Sequence, residues 1–147
     1  MKKIVAVFMV LGMVGCSSAN TTTIACSYSD DSQGFLTDDV LTVVADAEDQ
    51  IVSLGQETQL STWTEESGIG YTEYSELIKA YAEEDNATAA EYGYTLATTY
   101  DDENQVIAIS IMYEYATLAE GTIEELYLPT TGAEAKETLE SAGYVCE

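Results

Sequence analysis

The chain predicts an α+β fold: an antiparallel β-sheet with about two helices packed on one face. Three features point there. Alternating, β-branched runs come in two groups, a four-point apolar helical stripe stands between the groups, and a capped helical segment closes the chain.

The first strand is Thr22–Tyr28, led by β-branched Thr22, Thr23 and Ile24. Asp30-Asp31-Ser32-Gln33-Gly34 is turn chemistry. Val40–Asp46 reads as a second strand and Gln50 to about Thr62 as a third. The short Asp46-Ala47-Glu48-Asp49 connection makes these two a hairpin. Thr72 is placed as a helix N-cap. Tyr74, Leu77, Ile78 and Tyr81 follow at i, i+3, i+4 and i+7, one helical face, and predict a helix to about Glu84.

Tyr92–Tyr100 alternates and reads as a fourth strand, followed by the polar turn Asp101-Asp102-Glu103-Asn104. Val106–Tyr115 is the fifth strand, with Ile107, Ile109, Ile111, Tyr113 and Tyr115 on the face expected to meet the helices. Thr122-Ile123-Glu124-Glu125 fits a capping box that opens one turn before Leu128-Pro129, and Thr131-Gly132-Ala133-Glu134 fits a second. The last helix is expected to bury Ala135, Leu139 and Ala142 and to stop at Gly143 as its C′ residue. Tyr144-Val145-Cys146 then returns as a short extended tail.

Residues 1–15 are of another kind. Lys2 and Lys3 precede the apolar run Ile4–Val14, whose 11 residues match the apolar core of a signal peptide. A retained span would need about 20 residues to cross roughly 30 Å of hydrocarbon. Gly15 directly before Cys16, with Met13 three places before it, forms a lipobox. Residues 1–15 are thus read as a lipoprotein signal peptide. Cleavage leaves Cys16 as the lipid-modified N-terminus, 16–22 as a polar tether and 23–147 as a single domain. The alternatives are a plain cleaved signal peptide and an uncleaved anchor. The expected location is a bacterial membrane, lipid-anchored on the extracytoplasmic side. The six tether residues from Ser17 to Thr22 reach about 20 Å when extended, which keeps the domain close to the surface.

Cleavage removes Lys2 and Lys3, leaving Lys79 and Lys136 against 27 carboxylates, a formal charge of −25. Such a domain repels phosphate backbones, so no nucleic-acid partner is expected. Candidate partners are a cationic peptide or a basic envelope protein; the plainer alternative is a solvated acidic surface. The chain has no histidine, and so lacks the commonest general base and transition-metal ligand. The carboxylate pairs Asp38/Asp39, Glu65/Glu66, Glu83/Glu84 and Glu124/Glu125 are what so acidic a composition produces by itself. No enzyme activity, catalytic residue, cofactor or metal site is assigned. Asp30-Asp31-Ser32-Gln33-Gly34 and Asp101-Asp102-Glu103-Asn104 offer oxygen ligands for calcium, but neither carries the spaced acidic loop or its closing glutamate.

Cys26 and Cys146 remain beside the anchor. An oxidising compartment favours one intrachain bond tying the first segment of the domain to the last, with two buried thiols or a redox pair as alternatives. Trp63 and Tyr71 flank the glycine-containing loop Ser67-Gly68-Ile69-Gly70 with Tyr74 nearby. Trp63 and Tyr71 are the candidate ligand contacts, since exposed aromatics stack on sugars or grip peptides; core packing is the competing role, above all for Tyr74.

The lipobox cysteine, the polar tether, a first strand ending near Ala25-Cys26 and the closing Leu139-Glu140-Ser141-Ala142-Gly143-Tyr144-Val145-Cys146 together resemble the YehR-like lipoproteins, small bacterial lipoproteins of unknown function. The resemblance supports the anchor and the fold and transfers no catalytic residue. The expected function is a membrane-anchored, extracytoplasmic, non-catalytic binding or interaction module. Its alternatives are a structural acidic envelope lipoprotein without a specific ligand and a small-molecule or ion-binding receptor.

Overall fold

A computed structural model describes residues 20–147; Cys16 and the signal segment 1–15 lie outside the described residues. Six strands form one antiparallel sheet: β1 (Thr22–Asp30), β2 (Leu36–Ala45), β3 (Ile51–Ser61), β4 (Thr95–Asp101), β5 (Val106–Glu114) and β6 (Val145–Cys146). Their order is β4-β5-β3-β2-β1-β6. The helices are α1 (Tyr71–Tyr92), the single turn α2 (Thr122–Glu125) and α3 (Gly132–Ser141). β1–β2, β2–β3 and β4–β5 are neighbours in sequence. The β3–β5 pairing closes across α1 and β4, and β1–β6 joins the two ends of the domain.

The helices share one face of the sheet, because the residues they cover align across it. Asp30, Thr37, Leu60, Ile107 and Tyr100 form one cross-strand row, and Tyr28, Asp39, Thr58, Ile109 and Thr98 the next. The following rows are Cys26, Leu41, Gln56, Ile111 and Leu96, then Ile24, Val43, Leu54 and Tyr113. Two separate cores result. Under α1, Phe35, Leu60, Tyr71 and Ile107 are buried, with Trp63, Tyr74, Ile78, Tyr100 and Ile109 packed on them. Under α3, Val43, Ile51, Leu54 and Ala135 are buried, with Ile24, Leu41, Tyr113, Tyr115, Leu128 and Leu139 around them. Of the expected inward face of β5, Ile107 and Ile109 fall in the first core and Tyr113 and Tyr115 in the second, while Ile111 lies on the same face between the two.

β2 begins at Leu36 rather than Val40. Thr37-Asp38-Asp39 has turn composition, yet both carboxylates find partners inside the sheet. Asp38 accepts from the Ser29 hydroxyl at 2.7 Å, and Asp39 is buried within its own hydrogen-bond network. The hairpin turn after β2 is where it was expected, and the Asp46 carboxylate holds it by accepting from the amides of Glu48 and Gln50.

α1 starts after the N-cap Gly70, not after Thr72, and runs to Tyr92, two turns beyond Glu84. Its second half shows no apolar period because most of it faces water, so hydrophobic spacing does not reveal it. Gly93 ends the helix at φ 80°, and a Cβ there would meet the Thr117 carbonyl oxygen at 2.8 Å. Tyr92 thus closes a helix instead of opening a strand, and β4 starts at Thr95.

Thr122 does not cap α2; Gly121 takes that place, and the buried Thr122 hydroxyl donates to the Tyr92 carbonyl at 3.1 Å. Thr131 does cap α3, accepting from the Glu134 amide at 3.2 Å. Glu134 reaches back to the Thr130 amide, one residue before a standard capping box. Ala135 is buried and Leu139 packs on its core, whereas Ala142 is exposed: it is the C-cap, where the helix ends before Gly143 at φ 95° and the chain returns to the sheet as β6.

Candidate functional site

Trp63 and Tyr71 are brought together, but as part of the α1 core. Trp63 lies 4.8 Å from Phe35, 5.4 Å from Tyr74 and 6.0 Å from Tyr71 between ring centroids. Its indole N–H donates to the Gln105 carbonyl at 2.8 Å. Tyr71 is buried, and its hydroxyl donates to Asp102 at 2.6 Å. Both polar tips are satisfied within the protein, and neither ring lines the clefts of this face.

The open surface lies further along α1. The helix is buried at its ends, at Tyr71, Ser75 and Ala89, and at no residue between Ser75 and Ala89. Two clefts, of about 170 and about 370 Å³, follow that stretch. Both are lined by Ile78, Asp85, Leu96 and Thr98, so they are two mouths of one slot between α1 and strands β4 and β5. Tyr74, Leu77, Tyr81 and Ile109 line the wider mouth. Lys79, Ala82, Asn86 and Tyr100 line the narrower one, where the Lys79 ammonium sits 4.4 Å from the centre of the Tyr100 ring. Only half of the apolar stripe is thus used in the core. Tyr74 and Ile78 pack on the core, while Leu77 is 47% and Tyr81 55% exposed. The spacing that puts Leu77 and Tyr81 on one helical face does not say how far the helix stands from the sheet. The polar Asp85 and Thr88 that interrupt the stripe were the available signal.

One row of the sheet connects the slot to a buried polar centre. Ile109 and Thr98 line the slot, and in their row Thr58 and Asp39 follow. Asp39 is 5% exposed. It accepts from the Gln56 amide at 3.0 and 3.2 Å, from the Thr58 hydroxyl at 2.7 Å and from the Tyr144 hydroxyl. Tyr144 also packs on Tyr28, with ring centroids 5.2 Å apart. Two residues on, Cys146 is disulfide-bonded to Cys26 across the β1–β6 pair. Ala25 and Glu147 exchange both backbone hydrogen bonds beside it, so the cysteines occupy a non-hydrogen-bonded position, where facing side chains come closest.

The two acidic turns considered for calcium are engaged with their own chain. Asp30 accepts from the Ser32 hydroxyl and amide, and Asp101 from the Asn104 side chain and amide. These hydrogen bonds hold both carboxyls below the usual range. Among the described residues no group of three or more Asp, Glu, Cys or His side chains is placed to hold a metal ion.

Six tyrosines are raised above their ordinary value: Tyr92 by its hydrogen bond to Glu125, Tyr100 and Tyr113 by burial, and three others more strongly. The hydrogen bond to Asp102 pushes Tyr71 up to about 12, burial pushes Tyr115 up to about 12, and burial together with the Asp39 hydrogen bond raises Tyr144 further. A tyrosine raised in the folded state contributes stability that is whole below its unfolded value of about 10 and lost as pH rises towards the folded value. Absorbance titration is therefore expected to show six of the 11 tyrosines ionising late, Tyr71, Tyr115 and Tyr144 last among them, with unfolding above about pH 10 releasing them. Simultaneous ionisation of all tyrosines in the folded protein would contradict these contacts.

No family model and no curated protein matches the sequence. The solution structure of the E. coli YehR protein does match the structure, with a TM-score of 0.59 over 86% of this chain and 92% of that one, at 12% identity. A likeness at that identity is a likeness of fold. The chain therefore has the fold of E. coli YehR, an antiparallel sheet with two main helices on one face.

Proposed function

We propose that this chain is a lipid-anchored, non-catalytic binding module on the extracytoplasmic side of a bacterial membrane, and that the slot along α1 receives its ligand. One observation carries the reading: the middle of a helix that covers the sheet buries no residue and leaves Leu77 and Tyr81 exposed beside an apolar cleft. A binding groove characteristically combines apolar lining with a few polar groups, as here with Asp85 and Thr98. The shifted groups are not those of a poised acid–base pair. The tyrosines are pushed up and the carboxyls pushed down, both away from neutral pH, whereas a poised catalytic pair is tuned towards it. The anchor rests on the lipobox at Cys16. Each buried methylene of its lipid adds about 0.8 kcal/mol, and more than one chain makes the attachment durable.

Two measurements test the two halves. Fractionation of cells should find the wild-type protein with the membranes and Cys16→Ala without lipid and released from them; an unlipidated variant still retained would contradict the anchor. Radical footprinting in intact cells should find Tyr81 protected, with protection lost on purification, while Tyr127, 92% exposed, is labelled equally in both. Equal labelling of Tyr81 in both states would support the structural alternative of a solvated, ligand-free surface.

A further inference from the structure

Resting on that reading, we infer that the occupant of the slot is a basic amphipathic peptide segment, apolar along one edge and carrying Lys or Arg on its flanks. The wide mouth already has the complementary pattern. Its apolar edge is Leu77 and Tyr81, with Tyr74, Ile78, Leu96 and Ile109 behind them. On a helix, residues four and seven apart share an edge, so Glu73 and Glu84 fall beside Leu77, and Glu91 continues the line. Asp85 lies in the slot itself. The one lysine of α1, Lys79, is at the other mouth over Tyr100. The wide mouth thus presents apolar and aromatic groups edged by carboxylates, with no base on that edge.

The field of the whole molecule acts in the same direction. With 27 acids in the sequence and only Lys79 and Lys136 beyond the signal segment, the domain attracts cations at long range and repels anions. A second copy of this chain brings the same charge and is repelled. Fatty acids, anionic headgroups and nucleic acids are disfavoured in the same way. A cationic segment is drawn in by the field and held by its apolar edge, the helix-in-groove mode of peptide recognition. Tyrosine faces beside carboxylates add attraction for ammonium or guanidinium groups.

The test uses the full chain in zwitterionic lipid nanodiscs, with empty discs as the baseline. The probes are a Lys/Leu peptide of helical period, the Glu/Leu peptide with the same apolar face, and a scrambled Lys/Leu peptide. The Lys/Leu peptide is expected to bind the loaded discs about tenfold or more above the empty ones, the other two at baseline. Raising salt from about 0.05 to about 0.5 M should weaken binding, as charge screening requires. The double substitution Leu77→Ala/Tyr81→Ala should weaken it about tenfold, as loss of an exposed anchor pair does; Tyr127→Ala should leave it unchanged. Both anchors are exposed, so the fold survives their truncation, which circular dichroism checks. Equal binding of the Glu/Leu peptide, or unchanged binding to the double variant, overturns the proposal. Tyr81 protected in cells while no cationic peptide binds would overturn this ligand class and leave the binding reading intact; Tyr81 unprotected in cells overturns that reading itself.

Discussion

Reducing the Cys26–Cys146 bond is expected to remove about 3–5 kcal/mol of folding stability, the largest single effect in the domain. The bond spans 120 residues, almost the whole fold. In the chain-entropy account, a loop of that length corresponds to a little under about 5 kcal/mol, an upper figure. Domains of this size are stable by only about 5–15 kcal/mol, so reduction removes a large part of the total. The disulfide also holds β6, which pairs with β1 at only two positions. Denaturant titration of the oxidised and reduced protein measures the effect, and Cys26→Ala/Cys146→Ala should reproduce it. Coincident unfolding curves would show that β6 and the tail are held without it.

Asp39→Ala should cost about 3 kcal/mol, because it takes the acceptor from the half-buried Gln56 amide and Thr58 and Tyr144 hydroxyls, and each orphaned donor costs about 1–3 kcal/mol where water does not replace it. Tyr144→Phe removes one donor and leaves Gln56 and Thr58 on the carboxylate, so a smaller loss, about 1 kcal/mol, is expected. Tyr144 and Cys146 both tie the tail to the sheet. The Tyr144→Phe loss should therefore differ between oxidised and reduced protein, as contacts sharing one segment are coupled. An Asp39→Ala protein as stable as wild type would mean that water takes the carboxylate's place.

Much of the fold is written locally. The Asp46–Asp49 turn, the inward isoleucines of β5, the Thr131 cap and Gly143 each follow from short-range chemistry, and each lies where that chemistry puts it. The errors arise where tertiary contacts decide. Thr37-Asp38-Asp39 falls outside the strand that composition predicts from Val40, because only the fold supplies Ser29, Gln56, Thr58 and Tyr144 as partners for the two carboxylates. The second half of α1 hides because it has little apolar face to display. Trp63 and Tyr71 were legible as an aromatic group, and Tyr74 joins them, but only the fold shows their rings turned into the core. The slot was illegible for the converse reason: Leu77 and Tyr81 have core-like spacing, and their exposure follows from how α1 lies on the sheet.

That the slot along α1 is the binding surface is tested most directly by methyl NMR of the disc-bound protein during addition of the Lys/Leu peptide. The methyls of Leu77, Ile78, Leu96 and Ile109 should shift, while Val40 and Met112, both exposed on the sheet face away from the helices, should stay in place. Shifts at Val40 and Met112 with an unchanged slot would contradict the account and move the binding surface to the opposite face of the sheet.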